Sequence, residues 1–279
     1  MKSGVRSQES GVLNLRKIIN SPKPITRAPL NLEPRTSNLE PRTSNLEPLL
    51  MSIKVITFDA DDTLWVNEPY FRETEDKFCA LLEDFLPAHT IAKELYKTET
   101  QNIPVYGYGV KGFMLSMVET ALRISEHTVS PKVIEKIIEY GKELLEKPIE
   151  LLDGVEDVLQ QLKGHYRLVV ATKGDLLDQE RKLKKSGLEH YFHHIEIMSD
   201  KQEADYRKLI RHLDIQPDEF LMIGNSLKSD CMPVLAIGGH AVHVPYHTTW
   251  VHEQIDHTLD HPNFREAELI KDILPSLLS

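Results

Sequence analysis

A short hydrophobic segment that ends in three carboxylates is the feature that most limits the folds open to this chain. Val55 to Phe58 are all β-branched or aromatic, which predicts a strand buried on both faces, and Asp59, Asp61 and Asp62 follow directly. Carboxylates repel one another and are costly to remove from water. We therefore expect a cation near the end of this strand, either a metal ion or a lysine. A solvated acidic turn is the alternative interpretation.

Composition argues against two classes of function. The formal net charge is −10 and no block of lysine or arginine is present, which argues against a nucleic-acid partner. No apolar run approaches the roughly 20 residues that a membrane span requires, so no membrane partner is expected. Cys79 and Cys231 lie far apart without metal-ligand spacing, which predicts reduced thiols in a cytoplasmic protein. We expect a monomer or a homodimer.

The first 50 residues differ from the rest of the chain. The sequence of residues 31–37 repeats in residues 38–44 and begins again at Asn45, with one proline in each copy. Proline prevents a continuous helix, and one recurring apolar residue per copy cannot offset the entropy of ordering the segment. We expect residues 1–50 to be a tail or a non-native leader, with the working protein beginning at or near Met51. A flexible interaction arm is the alternative.

Residues 67–148 have the periodicity of helices and predict an inserted domain of about four helices. The candidate helices are residues 70–85, 91–100 and 112–124, and a fourth that begins after Ser130 and Pro131. Between the second and third helices, residues 104–112 contain two tyrosines and three glycines, which predicts a loop. This loop either packs on the helices or faces a substrate through Tyr106, Tyr108 or Lys111.

The remainder of the chain alternates between strand and helix patterns. A predicted helix at residues 154–163 precedes a strand at 166–172. Further strands are predicted at 195–198, 220–224 and 241–244, with helices at 176–186 and 205–213 between the first three of these four strands. This alternation predicts an α/β fold, a three-layer Rossmann-like parallel sheet formed by residues 51–66 and 149–279 and interrupted by the helical insert. In such sheets, ligands bind beyond the carboxyl ends of the strands.

Polar residues follow each predicted strand at that end. Thr172 and Lys173 follow the second strand, Lys201 follows the third, and Asn225 and Asp230 follow the fourth. Together with the aspartates after the first strand, they offer a nucleophile, a second carboxylate, a hydroxyl donor, a cation and further oxygen ligands. Phosphoryl transfer needs such a set, because its catalysis depends on positioning and charge neutralisation. An aspartate can attack phosphorus when Mg²⁺ and a lysine screen the two negative charges.

The order and spacing of these residues resemble the haloacid dehalogenase superfamily from Ile53 to about Trp250. The segment Asp59-Ala60-Asp61-Asp62-Thr63 matches the first motif of the superfamily. Thr172 matches the second motif, Lys201 the third, and Asn225 with Asp230 matches the fourth in part, because the family usually has an aspartate where this chain has Asn225. The helical insert resembles the small C1-type cap of this family.

The resemblance implies a Mg²⁺-dependent phosphatase that hydrolyses a small phosphorylated metabolite through an aspartyl phosphate. Asp59 would be the nucleophile and a Mg²⁺ ligand. Asp61 would protonate the leaving oxygen and then activate water, while its backbone carbonyl ligates Mg²⁺. Thr172 would bind a phosphoryl oxygen, and Lys201 would neutralise the nucleophile and the phosphate. The remaining expectations are metal ligation by Asn225 and Asp230 and substrate binding by Thr172, Lys173, Tyr108 and Lys111.

Several alternatives remain on the sequence alone. A 2-haloacid dehalogenase expels halide, which needs neither a proton nor a metal, so Asp61 argues against it. A phosphonatase would need a lysine of the insert as a Schiff base, for which Lys111 is a candidate, and a mutase would have to exclude water. A non-catalytic binding module on the same fold is disfavoured by the intact Asp59, Asp61, Thr172 and Lys201.

Overall fold

A single six-stranded sheet forms the centre of the computed structural model, which describes residues 52–255 and 258–278. The strands are β1 (Val55–Phe58), β2 (Arg167–Lys173), β3 (His194–Met198), β4 (Phe220–Gly224), β5 (His240–His243) and β6 (Phe264–Glu266). Their order is β3-β2-β1-β4-β5-β6, and every neighbouring pair is parallel. The expectations for residues 1–50 and for a start at Met51 fall outside the described residues.

Nine α-helices accompany the sheet in the part of the chain that the structure describes. They are α1 (Glu68–Leu81), α2 (Ala88–Tyr106), α3 (Val110–Ile124), α4 (Pro131–Leu145), α5 (Val155–Leu162), α6 (Leu176–Ser186), α7 (Glu203–His212), α8 (Met232–Ala236) and α9 (Leu274–Leu277). Five helices lie between β1 and β2, and the first four of them, α1 to α4, lie within the predicted insert of residues 67–148. We call α1 to α4 the helical insert.

The sheet is covered by helices on both faces, as the alternation of patterns predicts. Side chains of successive strand residues point to opposite faces of a sheet. Ile56 and Phe58 accordingly belong to a buried cluster with residues of α5 and α6, whereas Val55 belongs to a second cluster with residues of α7 and α8. The predicted three-layer α/β class is confirmed.

The helical insert has its own buried core, which includes Phe78, Leu95 and Met117. Its first helix begins where the Asp62 carboxylate accepts hydrogen bonds from the backbone N–H groups of Asn67 (2.8 Å) and Glu68 (2.9 and 3.1 Å). A carboxylate at this position satisfies backbone donors that a helix leaves free and interacts favourably with the helix dipole. Asp62 therefore connects the end of β1 to the start of the insert.

The loop predicted over residues 104–112 is shorter than expected. Helix α2 continues through Pro104 to Tyr106, and α3 begins at Val110, so only residues 107–109 lie between the two helices. The Gly107 N–H donates to the carbonyl of Ile103 at 2.9 Å and closes the last turn, with a positive φ of 74°. Glycine tolerates this conformation, which explains why the helix can end there after it has accommodated the proline.

Two further expectations concern the whole chain. Cys79 and Cys231 are both buried, and neither forms a disulfide within the described residues. No helix among residues 52–255 and 258–278 combines the length and apolar character needed to cross a membrane.

Candidate active site

A cavity of about 180 Å³ lies at the carboxyl ends of the central strands, between the sheet and the helical insert. This is the edge of the sheet at which a parallel α/β fold binds ligands. The sheet side of the wall includes Asp59, Asp61, Thr172, Lys173, Lys201, Asn225 and Asp230, and the insert side includes Phe71, Glu99, Asn102, Tyr108 and Phe113. Eight of the nine residues that the sequence singled out for the site therefore line one cavity, and Lys111 is the exception.

Lys201 joins two carboxylates at the bottom of this cavity. Its Nζ lies 2.5 Å from Asp59 Oδ1 and 2.6 Å from Asp230 Oδ1, and the residue is 1% exposed. Burial disfavours the charged ammonium, but Asp230 and Asp59 together raise the pKa of Lys201 above its ordinary value. Burial also raises the pKa of Asp59; Lys201 opposes this shift and Asp230 adds to it. Two buried carboxylates thus share one ammonium, which leaves an excess of negative charge.

Asp230 is held in place by the chain that follows β4. Its second oxygen accepts the Ser226 N–H at 3.0 Å. A Cβ added to Gly224 would lie 2.2 Å from that oxygen, which is closer than van der Waals contact permits. Gly224 is therefore needed so that the carboxylate of Asp230 can approach the end of the strand.

Asn225 contacts Thr63 at the edge of the same group of residues. The Thr63 hydroxyl lies 3.2 Å from both Asp59 Oδ2 and Asn225 Oδ1, and its oxygen accepts the Asn225 N–H at 3.1 Å. A hydroxyl has one proton, so it donates to one of these two oxygens at a time. Thr63 thus links the candidate nucleophile to the candidate metal ligand.

Asp61 is surrounded by hydrogen-bond donors that the sequence did not identify. Trp65 Nε1 donates to Oδ1 at 2.8 Å, and Gln179 Nε2 donates to Oδ2 at 2.8 Å. Lys182 Nζ lies 3.0 Å from Oδ1 and 3.1 Å from Oδ2. Gln179 and Lys182 are three residues apart in α6 and so share a face. Eight of the eleven residues of α6 are polar, so this spacing could not have distinguished Gln179 and Lys182 in the sequence.

Thr172 and Lys173 end β2 at the cavity. Thr172 is buried, and Lys173 Nζ donates to Ser229 Oγ at 2.8 Å and to Glu253 Oε1 at 2.6 Å. Glu253 Oε2 accepts hydrogen bonds from the hydroxyls of Ser226 and Ser229, each at 2.5 Å. Burial disfavours the charge on Glu253, but Lys173 and the two serines lower its pKa to about 2. Glu253 ends a 3₁₀ helix of three residues (Val251–Glu253), which is too short to show a periodicity in the sequence.

The two candidate substrate-binding residues of the insert differ in position. The Tyr108 ring lies over Lys173, with Nζ 4.3 Å from the ring centroid, and lines the cavity. Lys111 instead pairs with Asp175 at 2.9 Å, is 51% exposed at its side chain and is absent from the cavity wall. It occupies the first turn of α3, beside the residue that caps α6, so its ammonium faces a carboxylate outside the cavity.

The wall formed by the insert carries carboxylates of its own. Arg72 pairs with Glu68 at 3.0 Å and with Glu75 at 3.2 Å. Burial raises the pKa of Glu99 to about 8, and the neighbouring Glu75 and Glu68 contribute to the shift. Above that pKa three carboxylates accompany one guanidinium, so the wall then favours a neutral or cationic ligand group over an anionic one.

The donor atoms at the sheet end suit a hard divalent cation. Asp59 and Asp230 both reach the same ammonium, so their carboxylates converge on one point, and the Asn225 amide oxygen is nearby through Thr63. Within residues 52–255 and 258–278, no three His, Cys, Asp or Glu side chains are arranged to hold a metal. Mg²⁺ commonly uses one or two carboxylates and completes its shell with water and phosphate oxygens, so the two aspartates fit this ion.

The fold and these clustered carboxylates define an α/β enzyme whose site lies beyond the ends of its parallel strands. The sequence profile of the haloacid dehalogenase-like hydrolases matches residues 53–238. The chain belongs to this family of hydrolases.

Three known proteins illustrate the relationship. A haloacid dehalogenase-like family hydrolase from Xanthomonas campestris is 38% identical, with a TM-score of 0.71 over 78% of this chain and 87% of that one. A glyceraldehyde 3-phosphate phosphatase from Methanopyrus kandleri is 24% identical over 64% of this chain and 78% of its own length. The enzyme of the same name from Pyrococcus furiosus is 25% identical over 71% of this chain and 82% of its own length.

Proposed function

We propose that this protein is a Mg²⁺-dependent phosphatase that hydrolyses a small phosphomonoester through an aspartyl-phosphate intermediate. The observation that carries the proposal is the buried Lys201, whose ammonium bonds Asp59 and Asp230 at the bottom of the cavity. An anionic nucleophile can approach a phosphate dianion only where positive charge is fixed beside it. The relatives from Methanopyrus kandleri and Pyrococcus furiosus carry the name of a phosphatase, which supports the same reaction class.

In the first half-reaction, a carboxylate oxygen of Asp59 attacks phosphorus. The bond from phosphorus to the leaving oxygen breaks, and Asp61 gives its proton to that oxygen. Thr172, at the end of β2, donates its hydroxyl to a phosphoryl oxygen, and Lys201 balances the charge of the nucleophile. In the second half-reaction, Asp61 takes a proton from water, which attacks the aspartyl phosphate and releases phosphate.

Asp59 and Asp230 would hold Mg²⁺, together with the Asp61 backbone carbonyl and Asn225. The ion would neutralise charge on the phosphoryl oxygens. The residues of the chain perform the remaining tasks: they attack, donate the proton and position the phosphate.

Residues 51–66 and 149–279 would form the catalytic core, and residues 67–148 would act as a C1-type cap. The support is the position of the insert over the cavity, with Tyr108 above Lys173. The acidic wall of the insert would then select the part of the substrate that extends away from the phosphate. Lys111 pairs with Asp175 outside this wall, and its contact with the substrate stays a prediction.

Hydrolysis of 4-nitrophenyl phosphate tests the proposal. The purified chain should release 4-nitrophenol with Mg²⁺, and excess chelator should stop the release. Asp59→Asn should remove activity, because an amide does not attack phosphorus, whereas Asp84→Asn, at an exposed position of the insert, should retain it. Acid quenching during turnover should trap a phosphoryl group on the peptide that contains Asp59.

Two outcomes would contradict this assignment. Substantial turnover by folded Asp59→Asn protein would remove Asp59 as the nucleophile, and full activity in chelator would remove the metal. Chloride release from a 2-chloroacid should be absent; its presence, without phosphatase activity, would favour the dehalogenase alternative instead.

A further inference from the structure

Two side chains of α6 form hydrogen bonds to the carboxylate of Asp61, which the proposed mechanism uses for proton transfer. Gln179 donates to Asp61 Oδ2, and Lys182 contacts both oxygens of the same carboxylate. Trp65 adds a donor to Oδ1. Each oxygen of Asp61 therefore faces two donor contacts, which fix the plane of the carboxylate as well as its position.

Gln179 and Lys182 are themselves held in place by further contacts. Gln179 is 4% exposed, and its Nε2 also donates to the carbonyl of Lys173 at 2.8 Å. Because both partners of this nitrogen are acceptors, the amide must present its N–H groups to them. Lys182 Nζ also donates to Asn67 Oδ1 at 2.7 Å and lies 3.9 Å from Asp178 Oδ2.

The backbone beside Gln179 is shaped to admit it. Gly174 has a φ of 137°, and a Cβ at this position would lie 2.8 Å from Gln179 Nε2. The next residue, Asp175, caps α6 by accepting the Asp178 N–H at 3.2 Å. The start of α6 is thereby fixed at the end of β2, so that the helix directs Gln179 and Lys182 toward Asp61.

We propose that Gln179 and Lys182 are positioning residues that aim the Asp61 carboxyl group at the oxygen that leaves phosphorus. This inference rests on the proposed function. In the step concerned, an Asp59 oxygen bonds to phosphorus while the ester bond breaks. Asp61 holds its proton on one oxygen in place of one of the two Lys182 contacts, and this proton moves to the departing oxygen. The charge that remains on Asp61 is received by the donors of Gln179, Lys182 and Trp65.

The dependence of the rate on the leaving group isolates this role. Phenolate is a stronger base than 4-nitrophenolate, so phenyl phosphate needs the proton more than 4-nitrophenyl phosphate does, although the two esters share the same ring. A misdirected Asp61 should therefore slow phenyl phosphate selectively. General acid–base catalysis contributes about 10²–10⁴-fold to the rate in enzymes. A partly misoriented Asp61 should therefore lower kcat/KM for phenyl phosphate by about tenfold.

The experiment compares kcat/KM for the two esters in Lys182→Met, Gln179→Met and Lys182→Arg, with Lys184→Met as the control. Lys184 is an exposed lysine of the same helix. In Lys182→Met and Gln179→Met, kcat/KM should fall about tenfold for phenyl phosphate and less than about threefold for 4-nitrophenyl phosphate. Lys182→Arg should recover most of the loss because it keeps a charged donor, and Lys184→Met should match the parent chain.

The ratio of the two kcat/KM values does not depend on how much of a sample is folded, so partial unfolding cannot imitate the result. An equal fall for both esters, or no fall, would overturn the positioning role while leaving the phosphatase assignment intact. If the parent chain hydrolyses neither ester, the proposed function fails and this inference fails with it.

Discussion

The ion pair between Lys173 and Glu253 should make a large, pH-dependent contribution to stability. The side chain of Glu253 is 12% exposed, and its pKa falls from an ordinary 4.5 to about 2. One pKa unit corresponds to about 1.4 kcal/mol, so the shift corresponds to roughly 3 kcal/mol as an upper limit. Glu253→Gln removes the charge at nearly constant size and should destabilise the chain by up to that amount at pH 7.

The sign of the pH dependence follows from the direction of the shift. Because the folded state lowers the pKa of Glu253, the stabilisation is complete above the unfolded pKa of about 4.5 and is lost as the pH falls toward about 2. The difference between the parent chain and Glu253→Gln should therefore shrink to about 1–2 kcal/mol at pH 3.

Urea unfolding followed by circular dichroism at pH 7 and at pH 3 measures both values. Glu268→Gln is the control, since it changes an exposed glutamate and should alter the unfolding free energy by less than about 0.5 kcal/mol. A double-mutant cycle with Lys173→Met isolates the pair. A deficit for Glu253→Gln below about 0.5 kcal/mol at pH 7, or one of equal size at both pH values, would refute the reasoning.

Three further predictions concern the cavity. Asn225→Asp should lower the Mg²⁺ concentration that gives half-maximal activity and Asp230→Asn should raise it, because one charge at about 4–5 Å is worth roughly 3–4 kcal/mol before screening; an unchanged value in Asn225→Asp would exclude Asn225 from the metal site. Gly224→Ala should reduce kcat at least about tenfold, because the new Cβ occupies the position of Asp230 Oδ2; parent-like kcat would show that the carboxylate can move freely. At about pH 9.5, above the Glu99 pKa of about 8, Glu99→Gln should raise kcat/KM for 2-phosphoglycolate relative to glycerol 3-phosphate by about tenfold, because like charges some 8 Å apart cost roughly 2 kcal/mol; an unchanged ratio would show that the substrate does not reach the insert wall.

Much of the fold could be predicted because its signals are local. β1 is a continuous run of residues that suit a buried strand, and α4 begins with a serine that caps the helix and a proline in its first turn, both as expected. The edge strand β6 was missed, since three residues are too few to display a period. The extension of α2 through Pro104 was also missed. A proline predicts the end of a helix, whereas α2 continues past it to Tyr106.

The sequence by itself determined the class of the fold, the edge of the sheet that carries the site and the residues that enter the cavity from the ends of the strands. Those residues follow strands directly, and parallel strands bring their carboxyl ends together. Only the tertiary structure decided which side chains surround them. Gln179 meets Asp61 across 118 residues and Glu253 meets Lys173 across 80, and no repeat or spacing connects positions so far apart. Such contacts arise when helices and loops pack against the sheet, so their partners become visible only in three dimensions.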